Sequence, residues 1–579
     1  MKLIRNILLI VITFATAGCR NSETTTKSIS HSGKIERTYV APKRIVWQTP
    51  GESVRNSTVL LKNDQHQASI YCTEMCVMKN DKEQASILLD FGKELHGGIE
   101  IITGMTQNNK PIPVRIRFGE SVSEAMAELN EQTGATNDHA IRDWKIDLPY
   151  LGKLEIGNTG FRFVKIDLMD NDRELLLQEV NAISVMRDIP YLGSFKSNDE
   201  RLNKIWETGA YTVQLNMQEY LWDGIKRDRL VWVGDMHPEV MTILSVFGAN
   251  NVVPKSLDYI AQNTPNDQWV NGISSYSMWW VLIQYQYYMN TGDLASLNKN
   301  IDFFYLTMDK LESKIDENGK EILDGWRFLD WPTSEDPAAI SVGLQSMMLT
   351  TFNAGKAIAQ YLGDNDKVQH FEEIVKKLSA HVPEIPKRKS PGALMALAGY
   401  GDPKKINDEL LVKDGVRDLS TFYGYYVLNA MARAENYQQA QDFIREYWGG
   451  MLDLGATTFW EDFNTDWLIN AGRIDEMPTK DKVDVHSTYG GYCYKKLRHS
   501  FCHGWASGPT AWLSEYVLGV QILKPGCKKV KIEPHLGNLE WVEGTYPTPL
   551  GVIKIRHEKR SDGTISSAIM APEGIVVVD

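Results

Sequence analysis

Hydrophobic and polar positions alternate with a period of two in the first third of the chain. From about residue 40 to 190, short apolar runs end at Gly, Asn, Asp or Pro. Such alternation is typical of strands with one buried face, and frequent turn residues are typical of β-sandwiches. Residues 40–192 are therefore predicted to form an N-terminal β-sandwich. Its strand-like runs are RIVWQT, STVLLK, ASIYC, SILLDFG, GIEIITG, VRIRFG, KIDLPY and FRFVKIDLM.

The period changes to that of helices at about residue 193. In segment 197–222 the apolar residues lie on one face of a helix that Asn198 or Asp199 is suited to cap. This face consists of Leu202, Ile205, Trp206, Tyr211 and Leu215. Further helical patterns cover 235–247, 252–263, 274–291, 295–314, 340–363, 365–381, 403–412, 420–435, 437–447 and 506–520. Because no strand pattern separates them, residues 193–523 are predicted to form a toroid of paired helices rather than a βα barrel.

Strand patterns return after the last predicted helix, in KKVKIEPHL, LEWVEGTYPT, GVIKIRHEK and TISSAIMA. They predict a small C-terminal β domain over residues 524–579. The expected fold class is therefore multidomain α+β, with a helical barrel between two β domains.

The first nineteen residues have the features of a bacterial export signal. They combine a basic start, an apolar run too short to span a bilayer, and small residues directly before Cys19. TAGC resembles a lipobox, so we expect Cys19 to carry a lipid; a plain signal peptide with an incidental cysteine is the alternative. Residues 20–39 are polar and rich in Ser and Thr, which predicts a flexible tether. The protein is then exported and lipid-anchored, in the periplasm or at the cell surface.

Composition narrows the classes of partner. A net charge of −12 over 579 residues offers no basic stripe for nucleic acid. The 16 Trp and 24 Tyr are a surplus of rings that either pack in the core or line sugar sites. Cys72 and Cys76 are placed to form a disulfide or to be two buried thiols, and no Cys or His cluster with zinc-site spacing accompanies them.

Acidic and aromatic residues come together in five segments at predicted helix junctions. The first, WDGIKRDRLVWVGD (222–235), holds three Asp and two Trp, with Lys226, Arg227 and Arg229 close enough to pair with some of the acids. The others are SSYSMWWVLIQYQYY (274–288), WRFLDWPTSEDP (326–337), LGATTFWEDFNTDW (454–467) and FCHGWASGP (501–509). Singly, each is more typical of a packed core or a salt-bridged loop. Together they favour one pocket lined by Trp and carrying carboxylates.

Two carboxylates in an aromatic pocket suit glycoside hydrolysis. One protonates the leaving oxygen, and the other activates water or attacks the anomeric carbon. No other catalytic or cofactor motif is as strong as this pattern, whether a GxSxG elbow, a Walker loop, an HExxH motif or a Rossmann fingerprint. The expected chemistry is proton transfer, so neither a metal nor a cofactor is required.

Several segments resemble motifs of bacterial α-L-rhamnosidases, glycoside hydrolase family 78. DGIKRDRLVWVGD (223–235) is similar to an acidic motif of the form D-C-P-x-R-E-x-x-G-W-x-G-D, and GATTFWED (455–462) to G-A-T-T-x-W-E. The segments 160–168, 500–521 and 525–537 also resemble family motifs, in the same order along the chain. The resemblance implies an (α/α)6 barrel and an inverting exo-glycosidase that releases terminal α-L-rhamnose from a plant or microbial polysaccharide or glycoside.

The resemblance also implies roles for individual residues. Asp228 falls on the general acid and Glu461 on the general base, whose carboxyls an inverting enzyme holds roughly 6.5–9.5 Å apart. Asp223 and Asp235 fall on the acids that bind rhamnose hydroxyls. Asp330, in the 326–337 segment, is a further substrate-binding candidate. The expected subsite residues are Trp232, Trp280, Trp331 and His503, with Trp279 as the alternative to Trp280.

The acidic motif departs from the family at the acid itself. Asp228 stands where the family has Glu and is one methylene shorter. Gly224-Ile225 replaces Cys-Pro, and Val231 replaces Gly. A tighter loop that moves the backbone inward would compensate for the shorter side chain. Alternatively, Asp228 is structural and Glu239 or Glu335 supplies the proton, or the sugar differs from rhamnose.

The expected function is thus an exported, inverting exo-α-L-rhamnosidase with Asp228 buried among other acids. The alternatives are a six-hairpin glycosidase for another terminal sugar and a carbohydrate-binding lipoprotein without activity. The expected partner is a rhamnose-containing oligosaccharide or glycoside, with membrane contact only through the lipid anchor. The protein is expected to act as a monomer or homodimer.

Overall fold

The computed structural model describes residues 33–62 and 65–578. The expected signal segment and the lipid attachment at Cys19 lie outside these residues. The chain forms a β-sandwich, then a helical barrel, then two small sheets. This order confirms the predicted multidomain α+β fold.

The N-terminal sandwich is built from nine antiparallel strands in the order β3-β4-β9-β5-β8-β6-β7, with β1 on β9 and β2 on β5. The central strands β5 and β9 are buried along most of their length, so the sandwich has a hydrophobic core of its own. Its elements are β1 (Ile35–Val40), β2 (Arg44–Gln48), β3 (Val54–Arg55), β4 (Cys76–Met78), β5 (Ser86–Thr103), β6 (Ile112–Gly119), α1 (Val122–Met126), β7 (Asp143–Leu148), β8 (Lys153–Leu168) and β9 (Leu175–Arg187).

Strand β1 corrects the predicted tether. It pairs antiparallel with β9, from Ile35 opposite Arg187 to Val40 opposite Ala182. The prediction of a flexible tether over residues 20–39 is therefore wrong from residue 35 onwards. IERTYV is polar enough to resemble a linker, but its backbone hydrogen bonds to an edge of the sheet supply the order that its side chains do not indicate.

The barrel follows a short strand, β10 (Ser194–Ser197). Asp199 caps the first helix by accepting from the backbone N–H groups of Arg201 and Leu202. Two predictions, 252–263 and 274–291, match the observed bounds. The helices are α2 (Glu200–Asn216), α3 (Val233–Val246), α4 (Val252–Asn263), α5 (Ser274–Thr291), α6 (Leu294–Lys299), α7 (Ile301–Glu312), α8 (Pro337–Leu362), α9 (Asn365–Ala380), α10 (Lys389–Ala398), α11 (Pro403–Ile406), α12 (Gly424–Arg433), α13 (Tyr437–Asp453), α14 (Val485–Thr488) and α15 (Gly508–Trp512).

The C-terminal strands form two sheets. They are β11 (Val520–Lys524), β12 (Lys529–Ile532), β13 (Trp541–Thr548), β14 (Gly551–Lys559), β15 (Ile565–Met570) and β16 (Val576–Val578). β10 joins β13, β14 and β15, although it precedes the barrel in sequence. β11 and β16 flank β12. Buried residues of these sheets, such as Val530 and Ile553, belong to the same hydrophobic core as the barrel.

Cys72 and Cys76 are both free, and only Cys76 is buried. The structure therefore has no disulfide between Cys72 and Cys76. Of the two thiols that were expected to be buried in the other alternative, only that of Cys76 is. Among the described residues, no helix combines the length and apolar character needed to cross a membrane.

Candidate active site

The segment between α2 and α3 forms a closed loop. The Asp223 N–H donates to the Leu230 carbonyl (3.1 Å), and the Leu230 N–H donates to Asp223 Oδ1 (2.9 Å). Inside this closure, Asp228 and Arg229 both have φ of 55°, a left-handed conformation that side-chain-bearing residues rarely adopt. Two such residues in succession bend the chain sharply at the expected acid, and this is the kind of tighter loop that the shorter Asp228 side chain requires.

The N-terminal sandwich holds this loop from outside. Lys226 Nζ lies 2.9 Å from Glu124 Oε1 and 3.3 Å from Glu120 Oε2, both buried acids beside α1. Arg229 donates to the backbone carbonyls of Asn158 (3.0 Å) and His139 (2.8 Å). Lys226 and Arg229 therefore anchor the loop to the sandwich.

Arg227 connects the expected acid and base. Its guanidinium is buried; one nitrogen donates to Glu461 Oε1, and the other lies 3.3 Å from Asp228 Oδ1. Burial alone would raise the pKa of Glu461, but the charges of Arg227 and His503 outweigh burial and hold this pKa below its usual value. Glu461 is therefore ionised at neutral pH, as a general base must be.

The backbone around Glu461 is fixed by hydrogen bonds. The Glu461 carbonyl accepts from Thr421 Oγ1 (2.6 Å) and Trp505 Nε1 (3.0 Å), while the Glu461 N–H donates to Ser500 O (3.0 Å). The Ser500 N–H also donates to Glu461 Oε2 (3.3 Å). This residue is thereby oriented on both its main chain and its side chain.

Asp228 has different surroundings from those expected. Its side chain is 23% exposed rather than buried among acids. Oδ2 accepts from Trp232 Nε1 (3.1 Å), and Oδ1 lies 3.5 Å from His139 Nε2 as well as near Arg227. The expectation of a buried Asp228 is wrong, because the loop turns this side chain toward the junction with the sandwich.

Asp223 and Asp235 lie deeper, each 3% exposed. Burial, followed by the charges of Asp235 and Asp228, raises the pKa of Asp223 well above its usual value. Asp235 accepts from Tyr276 OH (2.9 Å) and lies 3.2 Å from His503 Nε2. Burial also raises the pKa of Asp235, against the opposing effect of His503. The structure thus brings four of the predicted acids and His503 into one electrostatically linked group.

An aromatic wall flanks this group. Trp331 stacks on Tyr492 with ring centres 5.2 Å apart, and Tyr494 lies edge-on to Trp331 and 6.0 Å from the Arg227 guanidinium. Trp326, 48% exposed, packs against the other face of the cluster. Trp331 is therefore linked through Tyr494 to Arg227, which contacts both carboxylates, and its role as a subsite residue stays a prediction.

Two predicted site residues are not part of this arrangement. Trp280 is fully buried; its indole N–H donates to Leu257 O (3.2 Å), and its ring packs against Phe303. Asp330 is buried, and its two oxygens already accept hydrogen bonds from Thr333, Ser390 and Ser420. The prediction for Trp280 is wrong, because its ring fills the core between helices. Asp330 joins its own segment to α10 and to Ser420, and its role in substrate binding stays a prediction.

The structure places the alternative acids, Glu239 and Glu335, and the alternative tryptophan, Trp279, in different surroundings. Glu239 is fully buried and hydrogen-bonded to Asn216 (3.2 Å), so it is shut away from a substrate. Gly504 covers it so closely that a Cβ on Gly504 would lie 1.5 Å from Glu239 Oε1. Glu335 is exposed at the protein surface. Trp279 is buried and stacks on Tyr426 (4.9 Å), so it does not replace Trp280.

Sequence reasoning missed several residues of the site. Arg227 was predicted only as a possible partner of nearby acids, and the bridging of the two catalytic candidates was not expected. Tyr276 precedes the Trp pair of its segment and was overlooked. Tyr492 and Tyr494 lie in a segment without an acid–aromatic pattern. His139 belongs to another domain, so its local sequence does not link it to the site.

A group of possible metal ligands lies elsewhere. His66, Glu100 and Glu179 in the sandwich have ligand atoms within 4.8 Å of one another. Lys153 Nζ lies 3.0 Å from Glu100 Oε2 and offsets part of this negative charge. None of the three contacts the carboxylates described above, so the proposed proton transfers do not involve this group.

The chain matches two family models. Residues 190–384 match the bacterial alpha-L-rhamnosidase six-hairpin glycosidase domain, and residues 519–576 match the bacterial alpha-L-rhamnosidase C-terminal domain. A curated alpha-L-rhamnosidase from Alteromonas sp. (strain LOR) is 23% identical over 527 residues, which is 83% of this chain and 54% of the relative. The chain therefore spans about half the length of the curated relative that it matches.

Solved rhamnosidase structures have the same fold. The GH78 family rhamnosidase of Bacillus sp. GL1 superposes with a TM-score of 0.71 at 22% identity, over 88% of this chain and 54% of the other. A rhamnosidase from Klebsiella oxytoca with rhamnose bound gives a TM-score of 0.65 at 18% identity, over 83% and 96% of the two chains. Over residues 190–384 and 519–576, the chain is therefore similar to the six-hairpin glycosidase and C-terminal domains of bacterial alpha-L-rhamnosidases.

Proposed function

We propose that the protein is an inverting exo-glycosidase that releases terminal α-L-rhamnose from an oligosaccharide or glycoside. The observation that carries this proposal is the pair Asp228 and Glu461, which contact different nitrogens of one guanidinium beside a cluster of aromatic rings. The names of the relatives support rhamnose as the sugar.

In the proposed reaction, Asp228 gives its proton to the glycosidic oxygen as the bond from that oxygen to the anomeric carbon breaks. Glu461 takes a proton from a water molecule whose oxygen attacks the anomeric carbon from the opposite face. The sugar leaves with inverted configuration, Asp228 is ionised and Glu461 is protonated. Exchange of protons with solvent restores both groups.

The proposed inversion rests on the resemblance of residues 223–235 and 455–462 to the family motifs. An inverting enzyme needs roughly 6.5–9.5 Å between its two carboxyls, because a water molecule must fit between one of them and the sugar. Asp228 and Glu461 are separated by the Arg227 guanidinium and do not touch each other.

The first experiment measures hydrolysis of aryl α-L-rhamnosides by Asp228→Asn and Glu461→Gln. We expect both variants to lose roughly two to four orders of magnitude in kcat on 4-nitrophenyl α-L-rhamnoside. With a dinitrophenyl leaving group, which departs without protonation, Asp228→Asn should recover most of its activity and Glu461→Gln should not. Exposed Asp466, on the same segment as Glu461, provides the control Asp466→Asn, which should behave like the wild type.

Full activity of Asp228→Asn on the nitrophenyl substrate would remove Asp228 from the acid role and leave the exposed Glu335 as the remaining alternative. NMR of the first-formed sugar tests the stereochemistry: β-L-rhamnose supports inversion, and α-L-rhamnose contradicts it. Activity only on aryl glycosides of other sugars would remove rhamnose from the proposal. Sugar binding without any product would favour a binding protein.

We also propose that Cys19 is lipidated and that the protein works outside the cytoplasm. The support is the signal-like composition of residues 1–19. Labelled palmitate should be incorporated by the wild-type protein in its host and not by Cys19→Ala. Equal labelling of both proteins would contradict lipidation at Cys19.

A further inference from the structure

A wide cleft opens on the sandwich next to the candidate active site. It has a volume of about 850 Å³, within the size range of ligand sites in proteins. Strands β5, β8 and β9 form its floor, and Trp144, Arg37 and Glu155 line it. His139 and Arg229 line its end nearest the loop of residues 223–230.

The cleft reaches Asp228 through one side chain. His139 lines the cleft, and its Nε2 lies 3.5 Å from Asp228 Oδ1. Arg229, the residue after Asp228, also lines the cleft and is fixed to the sandwich by two hydrogen bonds. The carboxylate of Asp228 therefore lies between the cleft residue His139 and the Arg227–Glu461 pair.

If Asp228 is the general acid, its position shows on which side of it the leaving group of the substrate lies. A general acid protonates the oxygen of the leaving group, so the leaving group must extend past the acid and away from the base. Glu461 lies beyond Arg227 on the barrel side, whereas His139 and the cleft lie on the sandwich side. The cleft is thus on the leaving-group side of Asp228.

The walls of the cleft suit sugar rings. Trp144 is half-buried, and its indole N–H donates to Ile141 O (3.0 Å), which fixes the ring in place as a stacking surface. Glu155 accepts from both Arg37 and Tyr39 OH and keeps its side chain partly exposed. Asn158 is exposed beside them. A fixed ring bordered by polar groups provides one apolar contact and several hydrogen bonds for hydroxyls.

We propose that this cleft binds the leaving-group sugars of an oligosaccharide substrate, so that the N-terminal sandwich supplies the subsites beyond the cleaved bond. The inference rests on the function proposed above and names its substrate class. An oligosaccharide fits better than a small aryl aglycone, because the cleft extends across three strands away from Asp228.

The test compares two kinds of substrate in two variants. The wild type should cleave α-L-rhamnosyl-terminated oligosaccharides with a lower KM as sugar units are added, up to the length of the cleft. Trp144→Ala should lower kcat/KM on a tri- or tetrasaccharide by about tenfold. The same variant should leave kcat/KM on 4-nitrophenyl α-L-rhamnoside within about twofold, because that substrate does not reach Trp144.

Trp541→Ala is the matched control. Trp541 is also half-buried, but it lies on β13 in a C-terminal sheet, where the Arg556 guanidinium packs on its ring (5.3 Å). It should cleave both kinds of substrate like the wild type. Equal losses on both substrates with Trp144→Ala, or no gain from added sugars in the wild type, would overturn the cleft proposal while rhamnosidase activity stands.

Loss of the proposed function is distinguishable from loss of the cleft. If the wild type cleaves no rhamnoside, the catalytic proposal fails. In that case, calorimetry of tetrasaccharide binding to Glu461→Gln still tests whether the cleft binds sugars. Binding that Trp144→Ala weakens about tenfold supports a sugar site there, and binding that is absent or unchanged by the substitution refutes it.

Discussion

At the scale of single residues, Arg227 sets the protonation state of the proposed base. Glu461 is buried, and without a cation beside it burial would raise its pKa. In Arg227→Met we therefore expect the pKa of Glu461 to rise. A base is active only when ionised, so activity is lost as the pH falls through its pKa, and in the variant this loss begins at a higher pH.

The measurement is the acid limb of the kcat/KM profile on an aryl rhamnoside. Arg227→Lys keeps a positive charge and should shift the limb less than Arg227→Met does. A thermal melt in parallel separates the shift from unfolding. An acid limb that stays in place in Arg227→Met would show that Glu461 does not titrate in this profile.

The length of the Asp228 side chain sets the position of the carboxyl of the proposed acid. The left-handed conformations of Asp228 and Arg229 already bend the loop at the acid. If this bend compensates for the shorter side chain, Asp228→Glu adds a methylene that pushes the carboxyl past its position. Misplacement by about 1 Å costs on the order of 100-fold in rate. We expect kcat of Asp228→Glu to fall by about that factor on an aryl rhamnoside, and a gain in kcat would show that the loop has not compensated.

At the scale of elements, the loop before α3 depends on its attachment to the sandwich. Lys226 is 12% exposed and lies between two buried acids of the neighbouring domain. Lys226→Met leaves both acids without this partner, and breaking a buried ion pair typically costs about 3–5 kcal/mol. Urea unfolding should show this loss. Lys204→Met, which breaks an exposed pair with Glu207 on α2, should cost less than about 1 kcal/mol.

Elements were predictable from sequence where their own period was clear. The bounds of α4 and α5 followed from helical spacing alone. α10 was missed because Pro391 and Gly392 lie in its first turn and resemble a loop. Gly392 packs closely, since a Cβ there would lie 2.3 Å from Leu410 Cδ2 and would displace that side chain. That contact joins distant parts of the chain, and a local pattern does not contain it.

Part of the candidate site was also predictable from sequence. The motif positions led to Asp223, Asp235 and Glu461, which the structure brings together. The motif positions also led to Trp280, which faces the core. Helix α5 is buried around most of its circumference, so the spacing of its residues does not indicate which side faces a substrate. His139 belongs to the sandwich, and only the docking of two domains places it beside Asp228.

At the scale of the whole molecule, the distribution of cores predicts how the protein unfolds. The largest hydrophobic cluster of the sandwich is separate from the large cluster that the barrel and the C-terminal strands share. A shared core favours unfolding as one unit, and separate cores favour separate transitions. Ile99, in the sandwich, and Ile553, in β14, are both fully buried. Removing most of either side chain should cost about 2–5 kcal/mol.

Hydrogen exchange followed by mass spectrometry separates the two units. Ile553→Ala should speed exchange in β14 and in the barrel helices together, with β5 and β9 unaffected. Ile99→Ala should do the reverse, apart from the loop that Lys226 attaches to the sandwich. If Ile553→Ala loosens the C-terminal strands while the barrel helices keep their protection, the shared core does not act as one cooperative unit. The coupling of the C-terminal sheets to the barrel would then be limited to contact without joint unfolding.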